Sequence, residues 1–224
     1  ILKGTLREED INLEESLSKI KIETGDAFEN FSLAQNLLDN FSGQEPLLGS
    51  FILRAKKELP SWRFLLSQVQ GGAGTLGEIL GSEERKTYLL LFQNNMELRP
   101  TGGFIGSYGI LNLDNGRIID FKVHDVYDAD GKLTTHIEPP FAIRRFLGAP
   151  HWFLRDSNFA IDFPTNAEKA SMFLKLEIGE SVDGVIAVDT TFIKNILEAI
   201  GPVAVNDYNQ TVNKDNFYLL TQTH

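Results

Sequence analysis

No cysteine occurs among the 224 residues. That one absence excludes disulfides, thiolate metal sites and cysteine nucleophiles together, and it leaves the redox compartment open. Positive charge is also short. Lys and Arg number 21 against 31 Asp and Glu, a formal net charge of -10 with a pI near 4.9. Phosphate backbones are bound by clustered Lys and Arg, so nucleic acid is excluded as a partner. Anionic lipid headgroups would repel the chain unless a basic patch intervened. Long apolar runs are missing too, and none approaches the roughly 20 residues that cross a bilayer. Several catalytic signatures are absent: there is no P-loop, no G-x-S-x-G elbow, no H-E-x-x-H and no dinucleotide fingerprint. Gly-rich "GGAGTLGEILG" lacks a preceding strand and a lysine, and is expected to be a flexible connection.

What is present is an ordinary globular composition, 42% hydrophobic and 23% charged, long enough for one large domain or a domain with a helical appendage. The chain starts at Ile1 and ends in the helix-like "NKDNFYLLTQTH", capped near Asn213. It is expected to be a fragment of something longer at both ends.

Residues 1–84 read as a helical bundle or spacer. Ile11, Leu13, Leu17 and Ile20 recur at helical spacing, and Phe28, Phe31, Leu37 and Leu38 resume it after a break at Thr24-Gly25-Asp26. A second helix is expected from Pro46 to just before Pro60, and a third over "SWRFLLSQVQ", stopped by Gly71-Gly72. From residue 85 the pattern becomes α/β, so the expected fold is mixed α/β: an N-terminal helical segment, then a central mixed sheet with a β-hairpin and flanking helices over 85–224. "TYLLLFQ" and "DGVIAVD" read as buried strands. "PTNAEKASMFLKLEIG" reads as a helix with Pro164 in its first turn, and "TTFIKNILEAIG" as one closed by Gly201 and capped by Asp189, after which "VAV" returns to the sheet. Asn115-Gly116 suits the positive φ angles of a two-residue hairpin turn.

That turn fixes an expected register, with Ile110 facing Phe121, Tyr108 facing Val123, and Gly103 facing Asp128. Ile119 would join those apolar pairs on one face. The hairpin then folds "HDVYDAD" back alongside "QNNMELRPTGGFIG", gathering Asn95, Glu97, Arg99, Thr101, Asp125 and Asp128 at one sheet end. A bulge in the glycine-rich strand would shift the pairing by one. Strand ends in α/β folds bind ligands, and glycines allow close backbone approach to an anion. The plainer alternative is that Gly102 and Gly103 serve packing and Arg99 pairs with a carboxylate. A second polar cluster, "HWFLRDSNFAIDFP", holds Arg155, Asp156 and Asp162 among aromatics. It suits a carbohydrate-like ligand or, more plainly, an ordered loop pinned by an internal ion pair. No metal-ligand spacing is found, and His136 and His151 read as ordinary loop histidines.

Three segments in order, "LFQNNMELRPTGGFIGSYGILNLDNGRIIDFKVHDVYDADGKL", "WFLRDSNFAIDFPTNAEKA" and "VDGVIAVDTTFIKNILEAIGPV", resemble the bacterial family called domain of unknown function 4012. The resemblance covers roughly residues 85 to 205. It implies a membrane-anchored protein of the cell envelope, on the outer face of the cytoplasmic membrane and held there by a segment absent from this chain. Expected partners are an envelope glycan, a lipid-linked precursor or another protein, with no cofactor. A more distant similarity is to the LytR-CpsA-Psr family of phosphotransferases, which act on polyprenyl-diphosphate-linked glycopolymers and use Mg²⁺. Of the aspartates that similarity implies, one position falls near Asn94 or Asn95 and another near Thr101-Gly102-Gly103, so both are missing; Asp125 is retained. No catalytic residue is assigned.

Overall fold

A computed structural model describes residues 13–40 and 49–223. Ile11 and Pro46 lie outside the described residues. The described chain forms two compact units. One holds the helices up to Lys86 together with Leu113–Arg117, and the other holds Thr87–Asn112 and Ile118 onward.

The first unit is an antiparallel helix pair, α1 (Leu13–Asp39) and α2 (Gly49–Leu80). The expected breaks do not occur. α1 runs through Thr24-Gly25-Asp26, where Thr24 Oγ1 donates back to the Ile20 carbonyl at 2.6 Å. α2 runs through Pro60 and Gly71-Gly72, so the supposed flexible connection is helix. A mid-helix Pro costs about 3 kcal/mol and each Gly about 1. Packing along one seam of α2 opposes that cost: Ile52, Leu59, Ala73 and Gly77 are its buried residues, and Arg63 reaches Gln35 at 2.7 Å while covering the Phe28 ring. Among the described residues no helix is long and apolar enough to cross a membrane.

The second unit carries a four-stranded mixed sheet in the order β3-β2-β1-β4, with β1 (Lys86–Asn94), β2 (Phe104–Asp114), β3 (Arg117–Asp125) and β4 (Gly184–Asp189). β1 and β4 are parallel, with Phe92 level with Val188 and Gln93 level with Asp189. The β2–β3 turn forms as expected, with φ of 48° at Asn115 and 75° at Gly116. The register beyond it does not. Tyr108 and Ile110 pack toward the core, and Tyr108 stacks on His124. Phe121 instead covers Gly109, on the opposite face, and Ile119, Phe121 and Val123 are all exposed. Direct partners share a face, so the pairing has slipped by one residue. A further irregularity lies farther from the turn: Ile105 and Tyr108, three apart, both face the core, while Gly106 and Ser107 both line the other side. Alternation breaks there as at a β-bulge. Beyond Asp125 the chain turns into α3 (Val126–Asp130), so Gly103 has no strand partner at Asp128.

α4 (Phe163–Ile178) begins at the N-cap Asp162, with Pro164 in its first turn, and ends at Gly179. α5 (Thr190–Ile200) follows β4 directly. "VAV" forms β5 (Val203–Val205), but it pairs with β6 (Gln210–Val212) in a separate two-stranded sheet and does not rejoin the main one. α6 (Phe217–Thr223) closes the chain. The core lies on one sheet face, where Leu89, Leu91, Ile105 and Tyr108 meet Val126, Ala129, Leu154, Phe173 and Leu174.

Candidate functional site

The loop between β1 and β2 is folded tightly on itself. Gly103 has φ 143°, and a Cβ there would lie 2.1 Å from the Asn94 carbonyl oxygen. At Gly102, φ is 79° and a Cβ would lie 1.7 Å from Gln93 Oε1. Backbone contact excludes a side chain at Gly103, and the positive φ disfavours one at Gly102, so the paired glycines serve close packing of the loop. Phe104 N donates to the Glu97 carbonyl at 3.0 Å, closing the loop into a compact turn.

Two residues of this loop reach the second polar segment. Arg99 Nη2 donates to Asp156 Oδ1 at 3.4 Å, and its guanidinium lies over the Phe104 ring. Asp156 also faces Arg155 Nε at 3.6 Å, and Arg155 Nη1 donates to Asp130 Oδ2 at 2.8 Å. The result is an alternating chain, Arg99–Asp156–Arg155–Asp130, with both aspartates 4% exposed. Thr101 belongs to a neighbouring amide network. Asn158 Nδ2 donates to the Thr101 carbonyl at 2.9 Å and the Gly103 carbonyl at 2.6 Å, Thr101 Oγ1 donates to the Asn158 carbonyl at 3.2 Å, and Asn166 of α4 donates to Thr101 Oγ1. The two polar segments read separately in the sequence are therefore one structure, clamping two loops onto α3 and α4.

Burial dominates the electrostatics of this clamp. It pushes the Asp130 carboxyl up to about 6, outweighing the opposing pull of Arg155. Glu177 of α4, whose Oε1 accepts the Leu154 N–H at 3.0 Å, is pushed up to about 7, again chiefly by burial. Buried atoms without a partner concentrate here: Arg99 Nε, Asp130 Oδ1, Ser157 Oγ, Asn158 Oδ1 and Glu177 Oε2.

The other residues named from the sequence have local duties. Asp125 caps α3 by accepting Tyr127 N–H at 2.8 Å, and Asp162 caps α4 by accepting Thr165 N–H at 2.9 Å. Asp128 is exposed beside Tyr108 and His124. Asn95 Nδ2 donates to Asp189 Oδ2 at 3.2 Å and Thr191 Oγ1 at 2.7 Å, while Thr190 Oγ1 donates to Asn95 Oδ1. Asn95 thus ties the exit of β1 to the start of α5, where Asp189 is the N-cap, as expected.

Beside that tie, at the C-terminal ends of the parallel strands β1 and β4, lies an open groove of about 540 Å³. Phe92, Phe104, Val123, Val188, Ile193 and Phe217 form its apolar wall. Gln93, Asn94, Glu97, Ser107, Asp189 and Thr190 supply its polar groups, and no Lys or Arg lines it. Glu97 is the one sequence-named candidate on this wall. The rest escaped a search for chemically conspicuous residues because a groove wall of Phe, Val and Ile reads as core. Among the described residues no cluster of three or more His, Cys, Asp and Glu is placed to hold a metal ion.

No curated protein and no solved structure matches the chain. The model of a family described as protein of unknown function, DUF4012, matches residues 83–224, which take in the whole sheet, the polar clamp and the groove. The chain belongs to that family.

Proposed function

We propose that the chain is a binding domain for an amphiphile with an uncharged polar head, such as an envelope glycan carried on a lipid chain, and that the groove at the ends of β1 and β4 is its site. The observation that carries this reading is the groove's lining: six apolar side chains below a rim of amides, hydroxyls and two carboxylates, with no cation. Its volume falls within the range of small-molecule sites. The envelope setting is supported by the family resemblance, whose members carry an N-terminal membrane anchor.

The second reading is phosphotransfer from a polyprenyl diphosphate, as in the LytR-CpsA-Psr family with Mg²⁺. The apolar wall speaks for it, since an isoprenoid chain needs one. The charges speak against it, because a diphosphate requires several cations or a metal. Arg99 and Arg155 are held by Asp156 and Asp130, and Glu97 and Asp189 place acid on the groove itself.

Thermal unfolding with a head-group series separates the two. A single-chain alkyl maltoside below its micellar concentration should raise Tm, and saturation at a hundred times Kd is worth about 2.7 kcal/mol. An isoprenyl diphosphate with Mg²⁺ should stabilise less than the maltoside. Stabilisation by the diphosphate alone, dependent on Mg²⁺, would support the enzyme reading instead.

A further inference from the structure

Tyr108 is only 2% exposed, yet its hydroxyl makes no hydrogen bond with any described residue. A buried Tyr ordinarily finds a partner for its O–H. Here the surroundings are an open pocket of about 400 Å³, lined by Tyr108, His124, Asp128, Lys132, Ile178 and Glu180. This pocket is separate from the groove at the strand ends. Ser107 and Val123 face that groove, whereas Tyr108 and His124, next along each strand, line the pocket on the other side of the hairpin.

The charged groups around the hydroxyl are also uncommitted. Asp128 and Lys132 stand four apart, the spacing that closes an ion pair on a helix, but α3 ends at Asp130 and no salt bridge joins them. Neither of them, nor Glu180, has a hydrogen-bond or ion-pair partner through its side chain, and the His124 ring has only its stack on Tyr108. The potential in the pocket is negative. Two free carboxylates outnumber one ammonium, and the C-terminal end of α4 at Ile178 adds the negative pole of a 16-residue helix. The phenol registers that field. Burial first, then the carboxylates of Asp128, Glu177 and Asp130, hold its pKa above the ordinary value, so it stays an O–H at neutral pH.

We infer that this pocket is a second binding site, for a small cationic zwitterion of the diamino-acid class, with ammonium groups taken by Asp128 and Glu180 and the carboxylate by Lys132. Charge selects the class. A simple anion meets two carboxylates and one cation, and a diamine leaves Lys132 beside a like charge. A ligand with two ammonium groups and one carboxylate matches the three charged side chains one for one. Tyr108 adds a hydroxyl that both donates and accepts, and Ile178 an apolar patch for the methylene chain.

The pocket carries its own reporter, one of the chain's four histidines. In the full chain at fixed pH 7 and ionic strength, the His124 ring-proton resonances, assigned by their loss in His124→Gln, should shift saturably with L-lysine while those of His136 and His151 stay in place. 6-Aminohexanoate lacks one ammonium and cadaverine lacks the carboxylate. Each should bind about fivefold more weakly, the loss of one exposed ion pair, and hexanoate should not bind. Asp128→Asn and Glu180→Gln should each weaken L-lysine by a similar factor at unchanged circular dichroism. Lys132→Gln should weaken L-lysine yet leave cadaverine at least as tightly bound, a split that a merely structural role would not give. No saturable shift with L-lysine, or equal binding of L-lysine and hexanoate, overturns the proposal. Unchanged L-lysine affinity in both carboxylate variants overturns it too.

Discussion

At the residue scale, two arginines that the sequence offers either to a ligand or to an internal ion pair are ion-paired in the fold. Arg99 and Arg155 alternate with Asp156 and Asp130 in a buried chain that holds two loops together. Arg99→Ala leaves Asp156 with a single guanidinium at 3.6 Å. Breaking a buried pair this way costs roughly 3 kcal/mol. Chemical denaturation should register that loss, while affinity for an alkyl maltoside stays within about twofold. The protonation of the clamp adds a pH signature. Asp130 and Glu177 have folded-state pKa values of about 6 and about 7, above those of unfolded carboxyls. The folded state therefore binds more protons than the unfolded state between about pH 4 and 7, and stability falls as pH rises through that window. Between pH 5 and 8 this is worth roughly 1.4 kcal/mol for Asp130 and roughly 2.5 kcal/mol for Glu177. Glu177→Gln keeps an acceptor for Leu154 N–H and removes the buried charge, so it should be more stable than the parent at pH 8 and show a flatter profile. A parent whose stability rises from pH 5 to 8 would contradict this account of the clamp.

At the element scale, the β1–β2 loop decides the site's shape. Gly103 is fixed by contact with the Asn94 carbonyl, whereas a Cβ at Gly106 meets nothing closer than 3.8 Å. Gly103→Ala should lower Tm by on the order of 10 °C, through strain and a forced backbone shift. Gly106→Ala should change it little. This contrast also shows what the sequence reveals and what it hides. The Asn115-Gly116 turn, the caps at Asp162 and Asp189, and the stop at Gly179 are local rules, readable from a few neighbouring residues. The hairpin register is not legible because a one-residue slip between β2 and β3 leaves no trace in composition, yet moves every side chain beyond it to the other face. The helix breaks at Gly25, Pro60 and Gly71 failed for the complementary reason: seam packing between α1 and α2 outweighs intrinsic propensity, and that packing is tertiary. Arg99 meeting Asp156, 57 residues apart, belongs to the same class of long-range fact.

At the scale of the whole molecule, both units present exposed apolar side chains among the described residues. The helical unit has exposed apolar side chains along α2, among them Phe51, Trp62 and Leu65. The α/β unit has a concave groove with a polar rim, suited to an amphiphile, and it lies where parallel strands end. The polar residues that make "QNNMELRPTGGFIG" conspicuous divide between two tasks: Asn95, Arg99, Thr101 and the glycines build the scaffold, while Gln93, Asn94 and Glu97 face the groove. The central claim is that this groove binds an amphiphile with a neutral head. The most direct measurement is calorimetric titration of the parent and of Val188→Trp with an alkyl maltoside at several temperatures. The account predicts one molecule bound per chain with a negative heat-capacity change, and at least a tenfold weaker affinity in Val188→Trp at unchanged Tm. No binding by the parent, or equal binding by the variant, would contradict it.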